Sequence, residues 1–173
     1  MDIFEYYMKE ARRFIDSASH LKSISYKLSG DPELFAQMLE KIHKAHQNIV
    51  SMLLVTDPTC ETVKECAMLA QHDFDMAIKR IENNAERIFS EKEMALIKQV
   101  HMLVKKRERS PVEFPRKDSL ILCNDRYDTE QISIEMIQDL ITQTQLLLKT
   151  MFSHRTTVLN HTQDKQSQTM ITE

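Results

Sequence analysis

The sequence is poor in the residues that turn a chain sharply. Its 173 residues include one glycine and four prolines, and tryptophan is absent. Because hairpins and phosphate-binding loops use glycine for positive φ or for close backbone approach, a single glycine argues against most sheet and nucleotide-loop architectures. Helices tolerate this shortage. The length predicts one domain with a core of its own rather than two.

Long apolar runs are also missing. No window of the sequence approaches the roughly 18 uncharged apolar residues of a membrane span. The first residues, MDIFEYYMKEARRFID, carry charges every few positions and so lack the apolar stretch of a secretory signal. These absences predict a soluble cytoplasmic protein that makes no membrane contact.

Neither sign of charge dominates the sequence. Lysine and arginine total 23 against 26 aspartate and glutamate residues, which gives a net charge of −3. No global field therefore favours nucleic acid or an anionic membrane, and any such contact must be local.

The cysteines, Cys60, Cys66 and Cys123, are odd in number and follow no zinc or redox spacing. On a single helix, Cys60 and Cys66 would lie more than one turn apart. We therefore predict that all three are reduced thiols in the core or at its flank.

Apolar residues recur at steps of three and four along most of the chain, which is the pattern of amphipathic helices. Asp31 and Pro32 suit the N-cap and first turn of the second helix. Ser90 and Glu93 form a capping-box pattern that opens the fourth. The five predicted helices cover about residues 2–28, 32–55, 58–88, 90–109 and 133–153.

Two segments fall outside these helices. Pro111 and Pro115 prevent helix in residues 110–131, so we predict one long irregular loop there, with residues 120–123 extended over one end of the bundle. Residues 159–173 are polar, and we predict a flexible tail after a single domain at residues 1–158.

Three polar residues of the second helix have the spacing of metal ligands. Glu40, His43 and His46 follow one another at steps of three, which places them on one helix face. Di-iron bundles carry a Glu-x-x-His pair on two helices, and a second pair is absent here. The apolar stripe places His43 on the outer side and His46 at its edge. We therefore predict no metal and no cofactor, and a single-metal face remains the alternative.

No local pattern predicts a catalytic centre. His72, Asp73 and Asp75 are close in sequence, but no serine or cysteine nucleophile is framed by a strained glycine turn. The sequence therefore predicts no catalytic residues.

The best local patch for phosphate or RNA binding is a basic run near the predicted loop. Phe114 and Tyr127 are the aromatic residues nearby that could stack on bases. A second interpretation is that the cations complement the dipole of the fourth helix and keep the protein soluble. The six candidate phosphate-binding residues are Lys105, Lys106, Arg107, Arg109, Arg116 and Lys117.

Two stretches resemble prokaryotic and archaeal helical domains of the HEPN type. They are DPELFAQMLEKIHKAHQNIVSMLL and KKRERSPVEFPRKDSLILCNDRYDTEQISIEMI, about a third of the chain. The resemblance implies an antiparallel helical bundle that dimerises. It also implies, for active members, a metal-independent ribonuclease with an arginine and a histidine four to six residues apart.

That ribonuclease motif occurs twice in the sequence. Arg13 and His20 are separated by six residues, and Arg155 and His161 by five. The family motif belongs on the final core helix, whereas the first pair lies on the first helix and the second where the last helix gives way to the predicted tail.

Together these patterns predict an all-α fold, an antiparallel up-and-down bundle of about five helices with one long irregular loop. The predicted function is a non-catalytic interaction or assembly module that forms a dimer through exposed parts of its apolar stripes and can bind a protein partner. The alternative is a HEPN-like RNA-binding protein or ribonuclease.

Overall fold

The computed structural model describes residues 2–25, 31–56, 62–83, 88–116 and 118–169, with only the backbone described for residues 63, 83 and 154–169. Within these ranges the fold is mostly helical, as predicted, with six helices and three strands. The elements in chain order are α1 Ile3–Ile24, α2 Pro32–Val55, α3 Val63–His72, α4 Phe74–Asn83, α5 Glu91–Glu108, β1 Val112–Arg116, β2 Ser119–Cys123, β3 Thr129–Ser133 and α6 Ile134–Thr169.

Side-chain caps determine where several helices begin. Asp31 accepts a hydrogen bond from the backbone N–H of Glu33 at 3.0 Å, and Pro32 occupies the first turn of α2. Ser90 and Glu93 form the reciprocal capping box of α5. Both predicted helix starts are confirmed.

The third predicted helix is two helices in the structure. Asp73 leaves the helical conformation, with φ −142° and ψ 84°, and its carboxylate accepts a hydrogen bond from the backbone N–H of Met76 at 3.0 Å. An aspartate that caps the N–H groups of the following turn is a helix-start signal. It ends α3 and opens α4, which the apolar period alone does not show.

The prediction of an irregular loop at residues 110–131 is wrong. That segment forms an antiparallel three-stranded sheet in the order β1-β2-β3. The turn between β2 and β3 needs no glycine, because the side chain of Asn124 accepts hydrogen bonds from the backbone N–H groups of Arg126 and Asp128, both at 2.9 Å. Tyr127 adopts the positive φ of 64° in this turn.

Alternation along the strands gives the sheet two different faces. The inner face presents Leu120, Leu122 and Ile132, which are buried in the main core. On the opposite face, which we call the outer sheet face, Phe114 of β1 lies opposite Ile121 of β2. The members of this face on β1 and β2 are Val112, Phe114, Arg116, Ser119, Ile121 and Cys123.

Helix α2 is the centre of the fold. It contacts α1, α3, α4, α5, α6, β1 and β2. Its buried residues lie on every side of the C-terminal half, so this half is enclosed by its neighbours rather than lying on the surface.

Contacts around α5 show the relative direction of three helices. Lys98 pairs with Glu82, and Lys105 pairs with Asp75, so α4 and α5 run in opposite directions. Lys106, near the end of α5, pairs with Glu130, just before α6 begins. Glu93, in the first turn of α5, accepts a hydrogen bond from Thr150, near the middle of α6. Helices α5 and α6 therefore also run in opposite directions.

The last helix is longer than the sequence predicts. Helix α6 begins at Ile134, close to the expected position, and its backbone continues to Thr169. It therefore runs through most of the segment predicted to be a flexible tail, while residues 170–173 lie outside the described part of the chain.

The prediction of reduced thiols is wrong for Cys66, which is disulfide-bonded, while Cys123 is a free thiol. The prediction placed Cys60 and Cys66 on one helix, but α3 begins at Val63. Cys60 itself lies outside the described residues.

Candidate functional site

A chain of three polar side chains crosses the interface of α2, α4 and α5. His43 Nε2 on α2 lies 3.1 Å from His101 Nδ1 on α5. His101 Nε2 in turn lies 3.1 Å from a carboxylate oxygen of Asp75 on α4. The other oxygen of Asp75 pairs with Lys105, one turn after His101 on α5. His43, His101 and Asp75, from three different helices, thus form one hydrogen-bonded line from the half-buried His43 to the exposed Asp75.

The direction of these hydrogen bonds follows from the carboxylate at one end. An ionised carboxylate only accepts, so His101 donates from Nε2 to Asp75. Hydrogen bonds from Lys105 and His101 lower the pKa of Asp75 below its usual value and keep it ionised. When both imidazoles are neutral, His101 Nδ1 must accept from the Nε2–H of His43, which leaves His43 Nδ1 without a proton.

Phe74 packs against both histidines of the chain. Its ring meets His43 edge-on with the centroids 5.1 Å apart, and meets His101 in the same manner at 4.9 Å. The apolar ring and the helix interface exclude water from the imidazoles. Burial, together with the neighbouring His101, lowers the pKa of His43 from 6.5 to about 4, so His43 is neutral near pH 7.

His46 lies one turn beyond His43 and is fully buried. Its Nε2 lies 2.8 Å from the hydroxyl oxygen of Thr144 on α6, and that hydroxyl donates to the backbone oxygen of Leu140. His46 therefore donates from Nε2, and its buried Nδ1 has no hydrogen-bond partner. Burial and the nearby His43 lower the pKa of His46 to about 3. The prediction that His46 lies at the edge of the stripe is wrong.

The three candidate metal ligands on α2 do not converge. His43 binds His101, His46 binds Thr144, and Glu40 pairs with Lys44 at 2.6 Å. Nε2 of His43 and Nδ1 of His101 share a hydrogen bond 3.1 Å long, so these two nitrogens point at each other rather than at a common third point. Across the described ranges, no group of three or more potential ligands has a metal-binding arrangement.

The basic run is divided by the fold. Lys105 pairs with Asp75, Lys106 with Glu130, and Arg107 Nε lies 2.9 Å from a carboxylate oxygen of Glu113. The Arg107 contact is an ion pair without hydrogen-bond geometry, since the buried Nε has no hydrogen-bond partner. Intramolecular carboxylates thus compensate three of the six candidate phosphate-binding residues.

The remaining basic residues lie near the sheet. Arg109 and Arg116 are exposed, and no ion pair involves either of them within the described part of the chain. Arg116 shares the outer sheet face with Phe114. Lys117 lies outside the described residues.

The two copies of the arginine–histidine motif differ in what the structure describes. Arg13 and His20 are exposed on α1, and Arg13 pairs with Glu10 at 2.5 Å. Arg155 and His161 belong to α6, and only their backbone is in the described part of the structure.

Sequence reasoning missed the centre of the hydrogen-bonded line, His101. The available signal was its position four residues after Ile97, on the stripe that α5 turns to the core. A histidine on a buried stripe needs a partner, because an unsatisfied buried polar group costs free energy. Its partners, Asp75 and His43, lie 26 and 58 residues away in sequence, so no short motif could reveal them.

The described helices include none with the combination of length and apolar character that would carry it across a bilayer. Comparison with protein-family models, curated proteins and solved structures yields no match for this chain.

Proposed function

We propose that this protein is a non-catalytic interaction and assembly module that forms a dimer through its outer sheet face. The proposed architecture is an antiparallel up-and-down helical bundle of the HEPN-like kind, to which the sheet is added. The observation that carries the proposal is the exposure of Val112 and Phe114 on this face, at 50% and 43%.

The outer sheet face has a continuous apolar centre. Phe114 lies directly opposite Ile121, and Val112 lies opposite Cys123 in the register of β1 and β2. Ile121 is buried and is not part of the main core cluster, so the exposed apolar area of this face comes from Val112 and Phe114. Exposed apolar residues grouped on one surface are typical of protein contact sites.

The face, rather than the strand edge, is the proposed contact surface. Strand β1 is at the edge of the sheet, and Pro111 and Pro115 lie at its start and within it. Proline has no backbone N–H to donate to an added strand. Such an edge resists strand addition, whereas two outer sheet faces can pack against each other through side chains.

Helix α2 does not contribute to this contact. Its apolar residues are enclosed by neighbouring elements, so little of its stripe is left for association. The sequence predicts a dimer contact through exposed parts of the apolar helix stripes. The proposal places this contact on the outer sheet face instead.

The proposal is tested by light scattering at micromolar concentration. We expect a dimer for the natural chain and a monomer for Phe114→Ser. The matched control is Met102→Ser, which removes an even more exposed apolar side chain from α5, at 56%, and is expected to remain a dimer. A monomeric natural chain, or loss of the dimer in both variants, contradicts the proposed interface.

A second candidate function is RNA binding. It is favoured by the position of Arg116 beside the exposed ring of Phe114 on the outer sheet face, with the uncompensated Arg109 preceding β1. Arginine side chains bind phosphates, and aromatic rings stack on bases. Ribonuclease activity would require more, and the late pair of Arg155 and His161 is the candidate for it.

Salt dependence distinguishes RNA binding from protein association. If the protein binds single-stranded RNA, affinity should be highest at low salt, and the double variant Arg109→Gln with Arg116→Gln should weaken it. Lys92→Gln, an exposed charge at the start of α5, is the control. Absence of binding at low salt removes this candidate.

We propose the cytoplasm as the location, which requires the disulfide of Cys66 to be reduced in the cell, because cytosolic thiols are kept reduced. Thiol counting on protein extracted under alkylating conditions tests the location. A single reactive cysteine in the native cell extract would contradict it.

A further inference from the structure

Residues of helices α2 and α5 line an open pocket beside His43. Its volume is about 340 Å³, at the small end of the range for small-molecule sites. Leu39 and Val104 give it an apolar wall. His43 connects it to the hydrogen-bonded line that ends at Asp75, so the pocket contains a histidine whose orientation is held by two further residues.

The free nitrogen of His43 is available in this pocket. With both imidazoles neutral, the Nε2–H of His43 is used in the bond to His101, and Nδ1 carries a lone pair. In the described part of the chain, the buried side-chain nitrogens that lack a hydrogen bond are His46 Nδ1 and Arg107 Nε. No described residue makes a hydrogen bond to Nδ1 of His43, and this atom is not among the buried ones, so it is accessible as a hydrogen-bond acceptor.

Charges of both signs surround this acceptor. Lys44 and Arg107 line the pocket together with the carboxylates of Glu40 and Glu108. The hydrogen bond from Lys44 lowers the pKa of Glu40, which is therefore ionised at neutral pH. A simple anion or a simple cation meets attraction and repulsion in equal number here. A ligand that carries both charges can pair each of them.

The internal ion pair between Glu40 and Lys44 does not prevent such binding. Both side chains are about half exposed, at 53% and 41%. Solvent screens an exposed pair at helical spacing, so a ligand that supplies a partner for each charge can replace it at little cost.

We propose that this pocket is a binding site for a small zwitterion, a free amino acid with an apolar side chain. Lys44 and the terminal guanidinium nitrogens of Arg107, whose Nε faces Glu113, bind its carboxylate. Its ammonium group donates to His43 Nδ1 and pairs with Glu40. Its apolar side chain packs on Leu39 and Val104. His101 and Asp75 are positioning residues, because they keep His43 Nδ1 in the acceptor form.

Three probes of similar size test the requirement for both charges. L-leucine carries both, N-acetyl-L-leucine only the negative charge, and L-leucinamide only the positive charge. Saturation-transfer NMR and titration of backbone amide shifts should show millimolar or tighter binding of L-leucine, at least about tenfold stronger than that of either analogue. The shifted amides should lie on α2 and α5.

Two variants locate the site. Lys44→Met should weaken L-leucine binding about tenfold, whereas Lys92→Met, an exposed lysine of α5 outside the pocket, should leave it unchanged. Absence of leucine binding to the natural protein, equal binding of N-acetyl-L-leucine or L-leucinamide, or equal binding by both lysine variants overturns the proposal. Unchanged amide spectra away from the substituted residue establish that each variant is folded.

Discussion

Helix α2 and strand β1 carry apolar residues in opposite circumstances. In α2, 15 of 24 residues are buried, whereas none of the five residues of β1 is buried. The apolar side chains of α2 contribute to stability, because several helices and β2 cover them. Val112 and Phe114 of β1 lie on the outer sheet face, where their apolar surface is exposed to solvent or contacts a partner. Sequence hydrophobicity alone does not distinguish the two uses.

The largest expected difference between these regions is in stability. Ile42→Ala in α2 should lower the free energy of unfolding by about 2–5 kcal/mol, because it removes a fully buried side chain and leaves a cavity. Val112→Ala in β1 should change it by less than about 0.5 kcal/mol. Urea denaturation of both variants measures the difference. Equal losses of stability would show that β1 is part of the cooperative core and would contradict the difference between β1 and α2.

Helix α2 should also make stability depend on pH. His43 and His46 have folded-state pKa values lowered to about 4 and about 3, below the usual 6.5. The unfolded chain therefore binds more protons than the folded chain below pH 6.5. Stability is fully present above that pH and is lost as the pH falls toward the folded values, by up to about 1.4 kcal/mol per pH unit for each histidine.

His46→Gln tests this dependence at one residue. Glutamine can still donate to Thr144 but does not titrate, so the loss of stability between neutral pH and about pH 5 should become smaller. His20→Gln, which changes an exposed histidine of α1, should keep the natural dependence. If His46→Gln keeps it as well, the buried imidazole is not its source.

The helices could be predicted because local chemistry decides them. The apolar stripes, Asp31 with Pro32, and Ser90 with Glu93 act over three or four residues, and the structure uses them as expected. The sequence does not predict the sheet, because its turns lack the glycine that most hairpins use. Asn124 provides the same function through its side chain, and asparagine is a weaker signal than glycine.

The candidate site was predictable only in part. The sequence singled out His43 and His46, but the turn of helix that buries His46 is determined by the packing of α6 against α2. The charges of the basic run could be counted, yet their carboxylate partners Asp75, Glu130 and Glu113 are supplied by other elements. Tertiary pairing, rather than composition, decides which charges remain available.

A smaller effect is expected for the turn that holds the sheet together. Asn124→Ala removes the acceptor of two backbone hydrogen bonds and should lower the free energy of unfolding by about 1–2 kcal/mol. Hydrogen exchange should quicken in β2 and β3 before it does in α2. Asp125→Ala, which changes an exposed residue of the same turn and leaves both hydrogen bonds in place, is the control. Equal acceleration in α2 would mean that the sheet and α2 unfold as one unit.

The smallest stability effect is expected at the exposed end of the hydrogen-bonded line. Asp75→Ala should lower the free energy of unfolding by less than about 1 kcal/mol, because its carboxylate is well exposed and solvent screens its ion pairs. The protonation pattern of the histidines should change much more, since the group that makes His101 donate from Nε2 is gone. Long-range ¹H–¹⁵N spectra report which imidazole nitrogen carries the proton.

In the natural protein these spectra should show His43 protonated at Nε2 and bare at Nδ1. In Asp75→Ala they should show exchange between the two forms at both His43 and His101. Lys105→Met removes the other partner of Asp75 but leaves the carboxylate, and should preserve the natural pattern. If Asp75→Ala preserves it too, the packing around Phe74 and α2 orients His43 without the carboxylate. The direction of the hydrogen bonds is then determined in the core.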